Sequence, residues 1–521
     1  MTDAWRPRHD PWAIAMTVTL ATFMEVLDTS IANVALPHIA GSLSAGQDAS
    51  TWVLTSYLVS NAIVLPISGW LSSRIGRKRF YMSCVAVFTV SSFLCGLAPN
   101  LPMLIVFRVL QGIGGGGLQP SEQAILADTF PPAKRGMAFA VYGMAVVLAP
   151  AIGPTLGGYI TDNASWRWIF FINVPVGLLS LILTSRLVED PPYFAVERRR
   201  RTRVDFIGLS LIVIGLGCLQ YVLDKGERDD WFGSPTIVVF AAVAGVTLLS
   251  VILWEIFHPD PIIDLRLLGR RGFGISALMM FMLGLVLFGS TVLLPLFLQT
   301  LLGYTAELAG EVMSPGGLVV IVLLPLVGRL LSKVQARWLI AFGFVATALA
   351  MFHMTSLDLQ ISFTTAMLYR IYLSTGIAFL FVPINTIAYT GMPQEKNNQV
   401  SAIVNLARNL GGSVGISLAT TLISRRAQHH QVHLVGHLTP YDPAFRNALA
   451  GLSQTLFHRG LTFVEATRQA YGRLYGLALQ QAATLAYIDA LWLLAVLSAC
   501  MLPLVLLLPR NRPGEHPAGA H

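Results

Sequence analysis

The sequence predicts an all-α polytopic membrane protein of about fourteen transmembrane helices, built as two six-helix halves plus two linking helices. Three observations carry that expectation. Of the 521 residues, 54% are hydrophobic and only 12% are charged, against roughly 25% charged in a soluble protein. Apolar runs recur at about 12–37, 51–72, 80–98, 102–126, 135–160, 167–187, 205–223, 235–257, 273–301, 305–332, 336–356, 361–390, 397–425 and 484–508, most of them close to the ~20 residues that cross a bilayer as a helix. Finally, the chain repeats itself.

The repeat joins features of four kinds. Gly69-Trp-Leu-Ser-Ser-Arg74 recurs as Gly328-Arg-Leu-Leu-Ser-Lys333, each three residues after a proline (Pro66, Pro325), at an offset of 259. Arg108 and Arg370 are offset by 262, Gly153 and Gly412 by 259, Pro37 and Pro295 by 258. Six spans plus two linking spans give such a period, and two homologous halves facing one another enclose a central cavity that opens to either side. The expected organisation is an N-terminal segment 1–11, a first half 12–187, a linker 188–272 with two extra spans, a second half 273–508 and a tail 509–521.

Charge orients the spans. The net charge of +8 comes from basic residues in short loops, the positive-inside pattern, rather than from a nucleic-acid surface. Runs 74–79, 134–135, 198–203, 266–271 and 329–337 each hold two to five Lys or Arg, whereas 38–50, 99–101, 302–304 and 357–360 hold none. Both termini are therefore expected inside. The last outer loop, 426–483, is long, with an amphipathic helix expected over 454–481. It is either a tolerated insertion or a docking surface for an outside partner. Cys84, Cys95, Cys218 and Cys500 all fall in apolar runs, without metal spacing or a disulfide framework.

Ionisable side chains within spans are costly and mark function. Glu25 and Asp28 lie three apart on one face of the first span. Counted at ~1.5 Å per residue from the outer end, Asp28 lies ~13 Å deep and Arg108 of span four ~9 Å deep, so the two can meet, while Glu25 lies ~18 Å deep. A carboxyl beside a buried arginine changes its proton affinity when the pair separates or a lipophilic cation approaches, which is what exchange of a proton against a substrate requires. Asp28 is the expected coupling acid. Glu25 is a second proton site or a counter-charge for a cationic substrate. Arg370 matches Arg108, but no acid matches Asp28: the chain reads Phe288-Gly-Ser290 there. Arg370 and Arg408 either pack or line the cavity. Glu122 is expected to reach water at the inner end of its span, Asp489 has no clear reading, and His353 reads as a hydrogen-bonded core residue. Phe23, Tyr57, Tyr142, Phe288 and Phe297 are cavity candidates by position. The prolines and glycines of Ala149-Pro-Ala-Ile-Gly-Pro-Thr-Leu-Gly-Gly158 kink span five and offer small faces to a partner helix. Gly112 and Gly114–Gly117 let span four approach its neighbours.

Together these residues resemble the major facilitator superfamily, and within it the fourteen-span drug:proton antiporter branch of the EmrB/QacA type. The resemblance covers about 12–508 and implies the major facilitator fold. Leu27-Asp-Thr-Ser-Ile-Ala-Asn-Val-Ala-Leu-Pro37 is similar to the branch's first-helix signature, which makes Asp28 its proton-linked acid. Gly69 to Arg79 resembles the loop signature after span two, with Gly69, Arg74, Gly76 and Arg77 as its elements. Arg108-Val-Leu-Gln-Gly112 matches the motif whose arginine takes part in proton transfer. Pro150 and the run Gly153, Pro154, Gly157, Gly158 match the antiporter motif associated with export. Trp168-Ile-Phe-Phe-Ile-Asn-Val-Pro175 is typical of the branch. The chain departs at Ser73, where the loop signature usually has an acid that latches the inside-closed state. The resemblance implies a multi-pass protein of the bacterial inner membrane that exports hydrophobic or amphipathic compounds against protons, drawing on the proton gradient and no cofactor. It also implies a periplasmic adaptor and an outer-membrane channel as partners. Export of one dedicated compound (a fatty acid, a siderophore or an antibiotic) is the alternative, and a receptor of this fold without transport is another. No phosphate-binding loop, metal cluster or nucleophile triad points to an enzyme.

Overall fold

The computed structural model describes residues 7–191 and 205–509. The basic run 198–203 and most of the two expected tails therefore lie outside the described residues, among which every regular element is helical. The first half comprises α1 (Pro11–Ser42), α2 (Trp52–Ile75), α3 (Arg77–Leu97), α4 (Leu101–Gly115), α5 (Leu118–Thr129), α6 (Pro132–Asn163) and α7 (Asn173–Leu187). Two linking helices follow, α8 (Phe206–Lys225) and α9 (Pro235–Phe257). The second half comprises α10 (Arg271–Thr300), α11 (Ala306–Leu330), α12 (Ala336–Met354), α13 (Phe363–Ala388), α14 (Asn397–Val435), α15 (Pro443–Phe457) and α16 (Phe463–Ala499).

Local chemistry sets the helix starts. Asp10, Asn100, Asp205, Thr305 and Ser362 each accept a backbone N–H of the first turn that follows, satisfying donors that a helix start leaves orphaned. Thr462 and Glu465 form a reciprocal capping box at the head of α16. Between α2 and α3 the chain reverses at Gly76, whose φ of 101° suits glycine. The repeat is visible in the helices: Pro37 and Pro295 lie inside α1 and α10, Pro66 and Pro325 inside α2 and α11.

Among the described residues twelve helices are long and apolar enough to span a membrane, and 13 if bent α6 is one span. Its axis turns by 45° between Pro132–Pro150 and Thr155–Asn163. The expected fourteen is compatible with this number. Helix α14, 39 residues long, has ample length but too polar a composition to pass on apolarity. Its Asn397, Asn398, Gln399, Asn405 and Arg408 are buried against neighbouring helices instead of facing lipid. The linking helix α9 is the opposite case, with 17% of its apolar window buried against 72% in α10 and α13. It lies at the periphery.

The region 426–483 departs from the expected loop. Helix α14 continues to Val435, α15 occupies Pro443–Phe457, and α16 begins at Phe463 and runs on into the last span. The helix expected over 454–481 is thus broken near His458–Leu461, where Gly460 has φ 95°. Span four is also two pieces, α4 and α5, parted at Gly116 and Gly117.

Two seams join the halves. Helix α14 packs on α10 and α16 of its own half and on α2 and α5 of the other, while α6 packs on α1 and crosses to α11 and α13. Glycines set these distances. A Cβ on Gly136 would meet Leu331, and one on Gly328 would lie 3.1 Å from the Gly136 carbonyl. A Cβ on Gly69 would lie 2.9 Å from the Asn398 carbonyl. Gly76, Gly136 and Gly328 mark one end of the bundle, called here the basic end.

Candidate functional site

Helix α1 carries Thr19, Thr22, Glu25 and Asp28 three residues apart. Helices α4 and α5 carry Arg108, Gln111, Gln119 and Glu122 at helical spacing. Facing each other, the two stripes form a polar seam. Its element farthest from the basic end is a cage around Asp28. Arg108 Nη1 donates to Asp28 Oδ2 at 2.6 Å, Gln111 Nε2 to Oδ1 at 3.0 Å, and Asn173 Nδ2 of α7 to Oδ1 at 2.7 Å. Arg108 also bonds Gln111 Oε1 (2.8 Å) and the Val53 carbonyl (3.0 Å), with its guanidinium 4.3 Å from the Tyr57 ring centre. Asp28 is 2% exposed and Arg108 0%. So buried an ion pair survives because charge-assisted bonds fill the carboxylate's lone pairs. Close approach of α4 makes the cage: a Cβ on Gly112 would stand 2.0 Å from Ser60 Oγ and 2.5 Å from the Tyr57 carbonyl.

Deeper in the seam, Glu25 Oε2 accepts from Gln119 Nε2 (2.7 Å), and Oε1 from Tyr57 Oη and Asn61 Nδ2 (3.2 Å each). The amide of Gln119 continues across the halves. Its Oε1 accepts from Tyr142 Oη at 3.1 Å and from Arg408 Nη2 of α14, and Arg408 Nη1 donates to Tyr142 Oη at 3.1 Å. Next to it Asn405 Nδ2 donates to Gln123 Oε1 at 2.8 Å. A continuous hydrogen-bonded chain therefore leads from an acid of α1 to a cation of the second half.

Glu122 corrects the sequence reading. It does not reach water: it is 0% exposed, accepts from Thr19 Oγ1 at 2.6 Å, and leaves Oε2 without a partner. Two residues that look alike in one dimension, Glu25 and Glu122, thus occupy the same buried seam.

At the basic end, Arg77 forms an ion pair with Asp128 of α5, donates from Nε to Asn398 Oδ1 of α14 (2.8 Å) and from Nη1 to the Ala124 carbonyl (3.0 Å). Asn397 Nδ2 donates to Asp128 Oδ1 at 2.5 Å, and Asn398 Nδ2 to Ser73 Oγ at 3.4 Å. The acid that pairs with Arg77 is Asp128, a residue the sequence reading passed over, and Ser73 itself meets Asn398. Arg74 lies over Trp70 at 5.3 Å. At the antiporter motif, Ser30 Oγ of α1 donates to the Pro150 carbonyl (3.4 Å). A Cβ on Gly153 would strike Ser30 Oγ at 2.3 Å, and one on Gly157 would press on Ile31 at 3.0 Å. The motif thus packs directly beyond Asp28. Gly158 has nothing within 4 Å of that position. The side chain of Pro154 lies outside the described residues.

The five aromatic cavity candidates separate. Tyr142 joins the inter-half chain and stacks on Phe381 at 5.7 Å. Tyr57 belongs to the Asp28–Glu25 cage. Phe288 is half-buried against Gly412, and Phe23 half-buried against the first-half core. Phe297, fully buried, packs edge-on against Tyr487 of α16 at 5.3 Å and so fills the second half's own core. Asp489 pairs with Arg426 Nε (2.6 Å) and His430 Nε2 (2.8 Å) of α14. His353 is not a core residue: it is exposed, edge-on to Tyr369 at 5.0 Å.

The Major Facilitator Superfamily profile matches residues 18–416. The chain belongs to the Major Facilitator Superfamily. Within it the protein is EmrB-like: it is 40% identical over 447 residues to the multidrug export protein EmrB of Haemophilus influenzae, covering 86% of this chain and 85% of that one. It is 39% identical to the fatty acid resistance protein FarB of Neisseria gonorrhoeae, covering 86% of this chain and 88% of that one. The fold matches the structure of the proton:xylose symporter XylE bound to 6-bromo-6-deoxy-D-glucose, with TM-score 0.57 and 17% identity, over 92% of this chain and 99% of that one.

Proposed function

We propose that the protein is a proton-driven exporter of hydrophobic and amphipathic drugs, an antiporter of the bacterial inner membrane with both termini cytoplasmic. The observation that carries the reading is the buried Asp28–Arg108 pair, joined to a polar chain that crosses between the halves, in an EmrB-like member of a transporter superfamily. A proton arriving at Asp28 cancels the charge that holds Arg108, so the cage around it relaxes. The antiporter glycines of α6 lie one turn beyond Asp28 and transmit that change to α1–α6 packing. Glu25 is the second proton site, or the counter-charge for a cationic cargo. Its link through Gln119 to Arg408 must break when the halves separate at the centre, and the Arg77–Asp128–Asn398 contact must break when they separate at the basic end. Two such sets of contacts, made and broken in alternation, are what alternating access around a fixed site requires. The free energy comes from the proton gradient; no cofactor enters. The helical extension of α14 to α16, on the periplasmic side in this orientation, is the surface for an adaptor that leads to an outer-membrane channel.

The test is dye efflux in liposomes of purified protein, with and without an imposed pH gradient, comparing the native chain with Asp28→Asn. Gradient-dependent efflux that disappears in folded, inserted Asp28→Asn supports the assignment. Undiminished efflux in that variant refutes it and moves coupling to Glu25. The similarity to FarB favours one alternative, a dedicated exporter of a single compound. Deletion would then sensitise the cell to that compound alone rather than to a broad set.

A further inference from the structure

The second half buries one cation that the network above does not use. Arg370 of α13 is 8% exposed, and no hydrogen bond or ion pair reaches its guanidinium among the described residues; Nε and Nη1 are buried without a partner. Arg77 bonds to Asn398 and Asp128, and Arg108 and Arg408 each leave one nitrogen unsatisfied but bond through the others. No acid pairs with Arg370: α10, α12, α13 and α14 contain no Asp or Glu, and the two on α11, Glu307 and Glu311, are exposed and make no ion pair with it among the described residues. Helix α11 presents Gly316 to it. A Cβ there would stand 2.5 Å from Ser374 Oγ and 3.2 Å from Arg370 Nε, so the missing side chain leaves the guanidinium its room.

Arg370 also faces the right way. Phe381 lies eleven residues on, about 20° away around a helix, and Phe381 stacks on Tyr142 of the first half. Arg370 therefore shares the α13 face that meets the other half, about 16 Å further along the axis. Ile377 lies between them on that face, and both apolar residues are buried. A buried guanidinium left unpaired is costly, and its fork of five donors suits a bidentate anion.

We propose that Arg370 is the docking point for the anionic headgroup of an amphipathic cargo, with the cargo's apolar part running along the Ile377–Phe381 face. The proposal rests on the export reading and deepens it. An acidic cargo would meet a cation in the second half while protons are handled in the first.

Binding to purified full-length protein in nanodiscs tests it, using dansylated undecanoate and its methyl ester, which differ only in charge. The native chain is expected to prefer the acid by roughly 10- to 100-fold, the ratio one charge-assisted bond confers. Arg370→Gln should bind the two alike. Arg370→Lys keeps the charge but loses the fork, so its preference should fall between. An undiminished preference in Arg370→Gln, or no preference in the native chain, overturns the proposal. Should Arg370→Gln not fold, an undiminished preference in Arg370→Lys does the same. The acid preference should be equal in phosphatidylcholine and phosphatidylglycerol discs; its loss in phosphatidylglycerol assigns Arg370 to a lipid headgroup and also overturns a cargo site. Gradient-driven ethidium efflux by the native chain is measured alongside. Its absence counts against the export reading while leaving the acid-versus-ester comparison intact.

Discussion

In the first half, Arg108 of α4 binds Asp28, Gln111 and the Val53 carbonyl and lies over Tyr57. In the second half, Arg370 of α13, its counterpart in the repeat, binds nothing among the described residues. The helices around the two arginines pack by the same device. Glycines of α6 press on α1 at Ser30, and glycines of α14 press on α10, where a Cβ on Gly415 would stand 2.3 Å from the Leu285 carbonyl. A duplicated scaffold has therefore kept its backbone contacts while its polar chemistry has been divided. The acids and their amide partners gather between α1, α4, α5 and α7, while across from them Arg408 bonds into that network and Arg370 stands without an acid. Scaffold packing depends on small residues placed by the repeat, whereas polar chemistry changes with single side chains.

The sharpest way to break this comparison is to take the acid away from Arg108. Asp28→Ala leaves Arg108 charged and buried, and should destabilise the protein by about 3–5 kcal/mol, the usual cost of breaking a buried pair, read as a lowered Tm in detergent. Restoring stability in Asp28→Ala/Arg108→Met without restoring efflux would show that the pair serves coupling more than folding. The packing device comes next. Gly112→Ala forces a methyl against Ser60 and Tyr57 and should cost about 1–3 kcal/mol, whereas Gly158→Ala meets open space and should leave Tm unchanged. Equal effects would contradict the close approach of α4. The link between halves is of similar size. Asn398→Ala removes one bond to Arg77, worth about 1.5–3 kcal/mol when a charge is involved. It should raise thiol labelling of a cysteine placed at Ser401, because the basic end opens more often. The smallest effect is expected at Arg370→Met: no partner is lost, so Tm should hold or rise. A large fall in Tm would mean that Arg370 is held by contacts of the same weight as those of Arg108, and the asymmetry would disappear.

Much of this was legible in one dimension. The depth of Asp28 and Arg108, counted from their span ends, placed them at compatible levels, and they meet at 2.6 Å. The offsets near 260 paired helices that pack alike within their halves, α1 on α6 as α10 on α14, and α2 on α4 as α11 on α13. Other features were not legible, for identifiable reasons. Glu122 looked like an acid near a span end, but the break at Gly116–Gly117 and the packing of α1 bury it. Asp128 lay outside the loop signature, so its pairing with Arg77 across 51 residues had no local sign. Gln119, Asn173 and Asn405 are neutral amides, whose type alone does not separate a lipid-shielded partner from a solvated surface residue. Their role depends on which carboxyl or guanidinium the fold brings near.

The sequence by itself determined that this is a helical membrane protein, that it is duplicated, and which spans bear charge. These follow from apolar length and the cost of charge in lipid, both properties of a single helix. Only the tertiary structure decided which charges are satisfied. Asp28 needs donors from α4 and α7, and Arg408 needs acceptors from the opposite half. A hydrogen bond falls off steeply beyond about 3 Å, so the difference between a paired Arg108 and an unpaired Arg370 arises from where neighbouring helices come to rest.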